Sequence, residues 1–202
     1  MRCRLFLTLI ALIALYLPAT VHGNTASYWS DIGDKFARIE SYGESIKAYD
    51  KAIQLDPGLP AVWKNKGDAL QNLSRYNESL QAYDDAIKLD PGSVEVWKDK
   101  GDAFQSLGMY NESFKAYEKA LELDPSFAAA WNNIGNVLQS RGKYNESLMA
   151  YDTALEKDPE LSMVWNNKGN ALQGLGQYEM SFSAYDRAIE LDPRLAAAWN
   201  NR

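Results

Sequence analysis

The sequence predicts an all-α solenoid of stacked two-helix units, and three observations carry that prediction. All six tryptophans stand on one ruler, at Trp29, Trp63, Trp97, Trp131, Trp165 and Trp199, each 34 residues from the last. Five of the seven prolines keep the same spacing (Pro57, Pro91, Pro125, Pro159, Pro193). So do Gly33, Gly67, Gly101, Gly135 and Gly169, then Tyr49, Tyr83, Tyr117, Tyr151 and Tyr185, then Ala52, Ala86, Ala120, Ala154 and Ala188. Within each period the apolar residues recur at helical spacing. A fixed period of this size means repeats that stack to bury a shared core.

The chain opens with Met1-Arg2-Cys3-Arg4 and a thirteen-residue apolar run, Leu5 to Leu17, broken by Pro18 and followed by Val21-His22-Gly23. A short cationic start, an apolar core and small residues near a cleavage point are the parts of an export signal, assigned to residues 1–23. Thirteen residues span about 20 Å as a helix, against roughly 30 Å of hydrocarbon. The other reading is an uncleaved anchor. Both place the remaining chain outside the cytoplasm, secreted or at the cell surface, with membrane contact only if the segment stays.

One period, Pro60 to Ser93, shows how each unit folds. Pro60 suits a first helical turn, where its missing N–H costs nothing. Val62, Trp63, Ala69, Leu70 and Leu73 form an apolar stripe. Ser74-Arg75 interrupts it, where later copies place Gly108, Gly142 and Gly176 as helix stops. Asn77 is placed to cap a second helix carrying Leu80, Tyr83, Ala86, Ile87 and Leu89, which Asp90-Pro91 ends. Small residues (Gly67, Ser79, Ala86) mark close helix approach, with Trp63, Leu70 and Tyr83 as bulky complements. The recurring Trp and Tyr are assigned to the core.

These positions resemble the tetratricopeptide repeat (TPR), whose Trp, Gly, small, aromatic, Ala and Pro sites match Trp63, Gly67, Ser79, Tyr83, Ala86 and Pro91 and their equivalents. The resemblance covers five repeats, 26–59, 60–93, 94–127, 128–161 and 162–195, with 196–202 beginning a sixth. It implies a right-handed solenoid whose first helices line a concave groove. Two positions depart from the family pattern. Lys66, Lys100 and Lys168 replace a Leu and are expected to lay their stems on the stack with the heads exposed. Ser45, Ser79, Ser113, Ser147 and Ser181 replace a small Ala.

Composition excludes several functions. The net charge is −6, and removing the first 23 residues, with Arg2, Arg4 and no acid, leaves −8. Such a chain lacks the cationic footprint that nucleic acid requires. The only Cys and the only His are Cys3 and His22, so a processed chain has neither. No catalytic residue, cofactor or metal site is assigned, and no enzyme activity is expected.

The polar positions of the first helices are the candidate binding surface. One residue after each Trp stand Ser30, Lys64, Lys98, Asn132, Asn166 and Asn200. Two after stand Asp31, Asn65, Asp99, Asn133, Asn167 and Asn201. Five after come Asp34, Asp68, Asp102, Asn136 and Asn170, and eight after come Ala37, Gln71, Gln105, Gln139 and Gln173. The first three repeats offer Lys and Asp; the later ones offer amides. Lys64 and Lys98 stand four residues before Asp68 and Asp102, either as intrahelical ion pairs or as lysines waiting for a ligand carboxylate. A carboxamide answers both a C=O and an N–H, so a row of them can hold an extended peptide backbone. The row resembles the asparagine ladder of the repeat domains in protein O-glycosyltransferases, through Asn65, Asn133, Asn167 and Asn201. The carboxylate clamp of chaperone-binding relatives looks absent. The peptide-binding set is therefore Asn65, Asn132, Asn133, Asn136, Asn166, Asn167, Asn170, Gln139, Gln173, Lys64 and Lys98.

Four sequons, at Asn72, Asn77, Asn111 and Asn145, are eligible glycan acceptors in an exported chain. In the last three the Asn is also assigned as the second-helix cap, and a cap competes with a glycan. The expected function is an exported scaffold holding an extended peptide or partner protein in its groove. Two alternatives stand beside it: a structural spacer that stacks end to end through an uncapped C-terminus, and a non-catalytic targeting segment of a larger enzyme.

Overall fold

The computed structural model describes residues 24–202, and the export-signal or anchor assignment to 1–23 lies outside them. The described chain is eleven helices: α1 (Ala26–Arg38), α2 (Tyr42–Leu55), α3 (Pro60–Asn72), α4 (Tyr76–Leu89), α5 (Val94–Ser106), α6 (Tyr110–Leu123), α7 (Ala128–Ser140), α8 (Tyr144–Lys157), α9 (Ser162–Gly174), α10 (Tyr178–Leu191) and α11 (Ala196–Asn201). Odd-numbered helices are the first helices of each repeat and even-numbered ones the second. Each packs on the next, and first helices of consecutive repeats also touch one another, whereas second helices do not. Contact along only one layer curves the stack, so the first helices line the concave side.

Each hairpin closes on one close approach. A Cβ at Gly67 would lie 2.5 Å from Cε1 of Tyr83, and one at Gly101 would lie 2.4 Å from that of Tyr117. The absent side chain is therefore what admits the ring. Those tyrosines are the largest fully buried side chains among the described residues. The tryptophans, expected in the core, are only partly buried, and Trp199 is exposed. An indole N–H needs an acceptor. Trp63 donates its Nε1–H to the Pro57 carbonyl at 2.9 Å, and Trp97, Trp131, Trp165 and Trp199 repeat this with Pro91, Pro125, Pro159 and Pro193. Each of these five tryptophans thus ties a repeat to the turn before it, whereas the Trp29 Nε1–H has no partner among the described residues.

Both kinds of turn have local causes. After each first helix the chain enters the left-handed region, at Glu40 and Ser74 (both φ 58°) and at Gly108, Gly142 and Gly176. In the second repeat, Ser74 N–H donates to the Gln71 carbonyl and Arg75 N–H to that of Leu70, a Schellman closure. After each second helix, the Asp before Pro accepts from the backbone N–H two residues on, as Asp56 does from Gly58 at 2.9 Å.

The second helices begin one or two residues before the assigned caps. Arg75, Met109 and Lys143 occupy the cap positions without side-chain capping bonds, so Asn77, Asn111 and Asn145 sit inside the first turn. The Schellman closure delivers the chain into helical geometry before the Asn is reached, and no Asn cap is needed.

The expected exposure of the repeat-junction lysine heads is also corrected. Lys66, Lys100 and Lys168 pair with Asp50, Asp84 and Asp152 on the preceding second helix at 2.5–2.6 Å, and each lies over its own repeat's tryptophan, Trp63, Trp97 or Trp165. Arg202 pairs with Asp186 in the same way. The junction from third to fourth repeat differs: Ile134, buried, stands where the others carry a cation, and Glu118 where they carry Asp. Among the described residues no helix is long and apolar enough to cross a membrane.

Candidate functional site

The concave face is built from a rung that recurs at nearly every junction. The buried second-helix tyrosine donates its hydroxyl to the residue five after the Trp. That residue in turn accepts from the carboxamide two after the next Trp. Tyr49 and Asn65 converge on Asp34 Oδ1 at 2.7 and 3.0 Å. Tyr117 and Asn133 converge on Asp102 Oδ1 at 2.6 and 2.7 Å. In the later repeats the acceptor is an amide: Tyr151 and Asn167 meet at Asn136 (2.8 and 3.2 Å), and Tyr185 and Asn201 at Asn170 (2.8 and 3.1 Å).

The candidate amides are therefore not a row of free groups. Asn167 also donates to Asn132, and Asn201 to Asn166, at 3.0 Å each, while Asn132 donates to Asn133. Asn166 is 3% exposed, held in the junction rather than presented to the groove. The physical reason is reach: a carboxamide two residues after the Trp lies beside the preceding first helix, whose polar group is a nearer partner than any ligand. A carboxamide has two N–H donors and two lone pairs, so those making one bond at each end keep capacity for a ligand.

Gln71, Gln105, Gln139 and Gln173 each place Oε1 2.9–3.3 Å from a tyrosine hydroxyl. That hydroxyl has one proton, already directed at Asp or Asn. The amide orientation that completes the network turns Nε2–H toward the hydroxyl oxygen and leaves Oε1 to the groove.

One junction departs from the rung. The third repeat carries Asp99 where Asn would stand, facing the second repeat's Asp68. Lys64 bridges the two acids at 2.7 and 3.2 Å, and Lys98 bridges Asp99 and Asp102 at 2.5 and 3.1 Å. Neither lysine waits for a ligand carboxylate: each ammonium already serves two acids. Burial would lower both ammonium pKa values, but Asp68 and Asp99 outweigh it at Lys64, and Asp102 and Asp99 at Lys98, so both are raised. Tyr49, Tyr83 and Tyr117 are raised by burial and further by their neighbouring carboxylates, and Tyr151 by burial alone. Among the described residues no group of three or more acids, His or Cys is placed to hold a metal ion.

Open cavities lie between consecutive first helices. One, of about 580 Å³, is bordered by Asp68, Gln71, Tyr76, Lys98, Asp99 and Ser106. A second, about 430 Å³, lies among Asn136, Gln139, Ser140, Tyr144, Asn170 and Gln173, and a third of about 420 Å³ among Asp102, Gln105, Ser106, Asn133 and Asn136. Sequence reasoning missed Tyr76, Tyr144, Ser106 and Ser140. The aromatic that opens each second helix recurs every 34 residues and was the available signal.

Comparison with known proteins agrees with this architecture. Models of the tetratricopeptide repeat match residues 26–59, 60–93, 128–161 and 162–195, and a TPR repeat model matches 101–140. Among solved structures, the MamA protein aligns at TM-score 0.70 and 23% identity, over 86% of this chain and 95% of that one. YrrB, described as a TPR protein with an unusual peptide-binding site, aligns at 0.64 and 19%, over 87% and 90%. TTC0263, a thermophilic TPR protein in Thermus thermophilus, aligns at 0.73 and 13%, over 87% and 95%. At these identities the likeness is one of fold. A comparison with curated proteins finds no match.

Proposed function

The chain belongs to the tetratricopeptide-repeat family, and from that premise we propose that it is an exported, non-catalytic scaffold that holds an extended peptide or partner segment along its concave face. The observation that carries this reading is the series of open polar cavities between consecutive first helices, which repeats with the chain. An extended backbone laid across these cavities offers N–H and C=O groups to the glutamine oxygens and the uncommitted amide protons. The unusual peptide-binding site for which YrrB is described supports the class of ligand.

The shifted lysines and tyrosines of the concave face are raised and keep their protons at neutral pH, and burial raises the Asp102 carboxyl against the pull of Lys98. Export rests on the arrangement of residues 1–23, with two arginines, an apolar run and small residues after Pro18.

The test is capture of partners from the native cell extract by the full chain, compared with Gln105→Arg/Gln139→Arg and with Lys115→Ala on the outer layer. Loss with the first and retention with the second is the expected result. Undiminished capture by the double variant removes the groove from consideration.

A further inference from the structure

We propose that Asn77, Asn111 and Asn145 carry N-linked glycans, set in a row along the edge of the solenoid where the second helices begin. The inference rests on export and is independent of groove binding. Each Asn begins an Asn-Glu-Ser sequon, and all three residues lie in the exposed first turn of a second helix. None is a helix cap, so the competition between capping and modification does not arise. Asn77 and Asn145 make no side-chain hydrogen bond among the described residues. Asn111 uses only Oδ1, which accepts from Arg141 at 3.3 Å, leaving Nδ2, the atom that would bear the sugar.

The fold does not demand Asn at this position. The first and fifth repeats place Gly43 and Glu179 there, on helices of the same length and start. A Cβ built on Gly43 meets nothing within 4 Å, so the site opens on solvent. The serine two residues on is another matter: Ser45, Ser79, Ser113, Ser147 and Ser181 are buried in all five repeats, sequon or not. Packing accounts for the Ser and leaves the Asn unexplained. Asn72 is outside the set, because its Nδ2 donates to the Asp68 carbonyl at 2.9 Å and its side chain borders the cavity between the second and third repeats.

The modification takes a lipid-linked sugar phosphate or pyrophosphate as donor. The Asn Nδ2 forms a bond to the anomeric carbon as that carbon's bond to the phosphate oxygen breaks. The phosphate leaves with the bonding pair, and the amide proton passes to a base of the transferase. Because Ser79 and Ser147 are buried and donate to the Tyr76 and Tyr144 carbonyls at 2.8 Å, the sequons are presentable only before their repeats fold. Transfer therefore accompanies export.

Intact-mass spectrometry of the chain from its native cells, with and without Asn77→Gln/Asn111→Gln/Asn145→Gln, tests the proposal. Gln suits an exposed first-turn position that already accepts Gly and Glu. The expected spectrum shows a leader-free chain heavier than its sequence by up to three equal increments, all lost in the triple variant. A leader-free chain at its sequence mass overturns the glycans and leaves export standing. An increment that survives the triple substitution overturns the assignment to these residues. A full-length, unmodified mass overturns the glycans and the cleavage of residues 1–23.

Discussion

The first three repeats and the last two build the same concave rung from different chemistry. In the first half the acceptor is a carboxylate (Asp34, Asp68, Asp102), and at one junction two lysines thread three acids into a continuous ion-paired chain. In the second half the acceptor is a neutral amide (Asn136, Asn170), which takes the tyrosine hydroxyl and the next repeat's carboxamide N–H. The approach of the tyrosine ring to its glycine hardly changes between them, 2.3–2.5 Å from a Cβ built there in all five repeats. The geometry belongs to the repeat, and the chemistry on it is free to vary, so the concave ion pairs of the first half are expected to respond to salt where the amide rungs of the second are not.

The largest effect tests what the halves share. Tyr49, Tyr83, Tyr117 and Tyr151 are all held above the ordinary tyrosine range. Their folded state keeps protons that the unfolded chain releases above about pH 10. That stability is fully present below pH 10 and is lost as pH rises toward the folded values. From pH 10 to 11 the loss is about 1 kcal/mol per tyrosine, about 4 kcal/mol for the four. Urea melts followed by circular dichroism at the two pH values measure it, and a flat stability across that interval contradicts the buried rung.

A smaller effect separates the halves. Tyr117→Phe takes a donor from a partly buried carboxylate and is expected to cost about 2 kcal/mol, whereas Tyr151→Phe takes one from an amide and costs about 1 kcal/mol. Equal losses in paired melts break the distinction. The smallest effect converts one chemistry toward the other. Asp99→Asn restores the amide seen at Asn65 and Asn133, letting it donate toward Asp68, and leaves Lys64 and Lys98 each with one acid. Stability should stay within about 0.5 kcal/mol, because partly exposed ion pairs contribute little. What changes is the response to salt: melts at low and high NaCl should differ less in the variant than in the parent. An unaltered salt dependence places the charge sensitivity elsewhere.

Most of the fold could be read from the ruler of Trp, Gly, Tyr, Ala and Pro, since each marks a steric requirement that every copy must meet. The Gly–Tyr approach is legible because no other residue fits beneath that ring. The concave site was legible only as a list of faces. Asn65, Asn133, Asn167 and Asn201 carry no sign in the sequence that each has a partner 31 residues back, across a repeat junction. Asn77 looked like a cap for the same reason: helix starts depend on how the preceding turn closes, and Arg75 already serves.

What the sequence determined alone is periodicity: hairpins that cannot bury their apolar stripes singly, and a chain whose only Cys and His precede the repeats. What tertiary structure decided is which polar groups remain for a ligand. Hydrogen bonding is a contest between partners at a distance, and stacking brings Asp34, Asp102, Asn136 and Asn170 within reach of the next repeat's carboxamides before any peptide arrives. The glutamines and the amide protons left over are what the stack makes available.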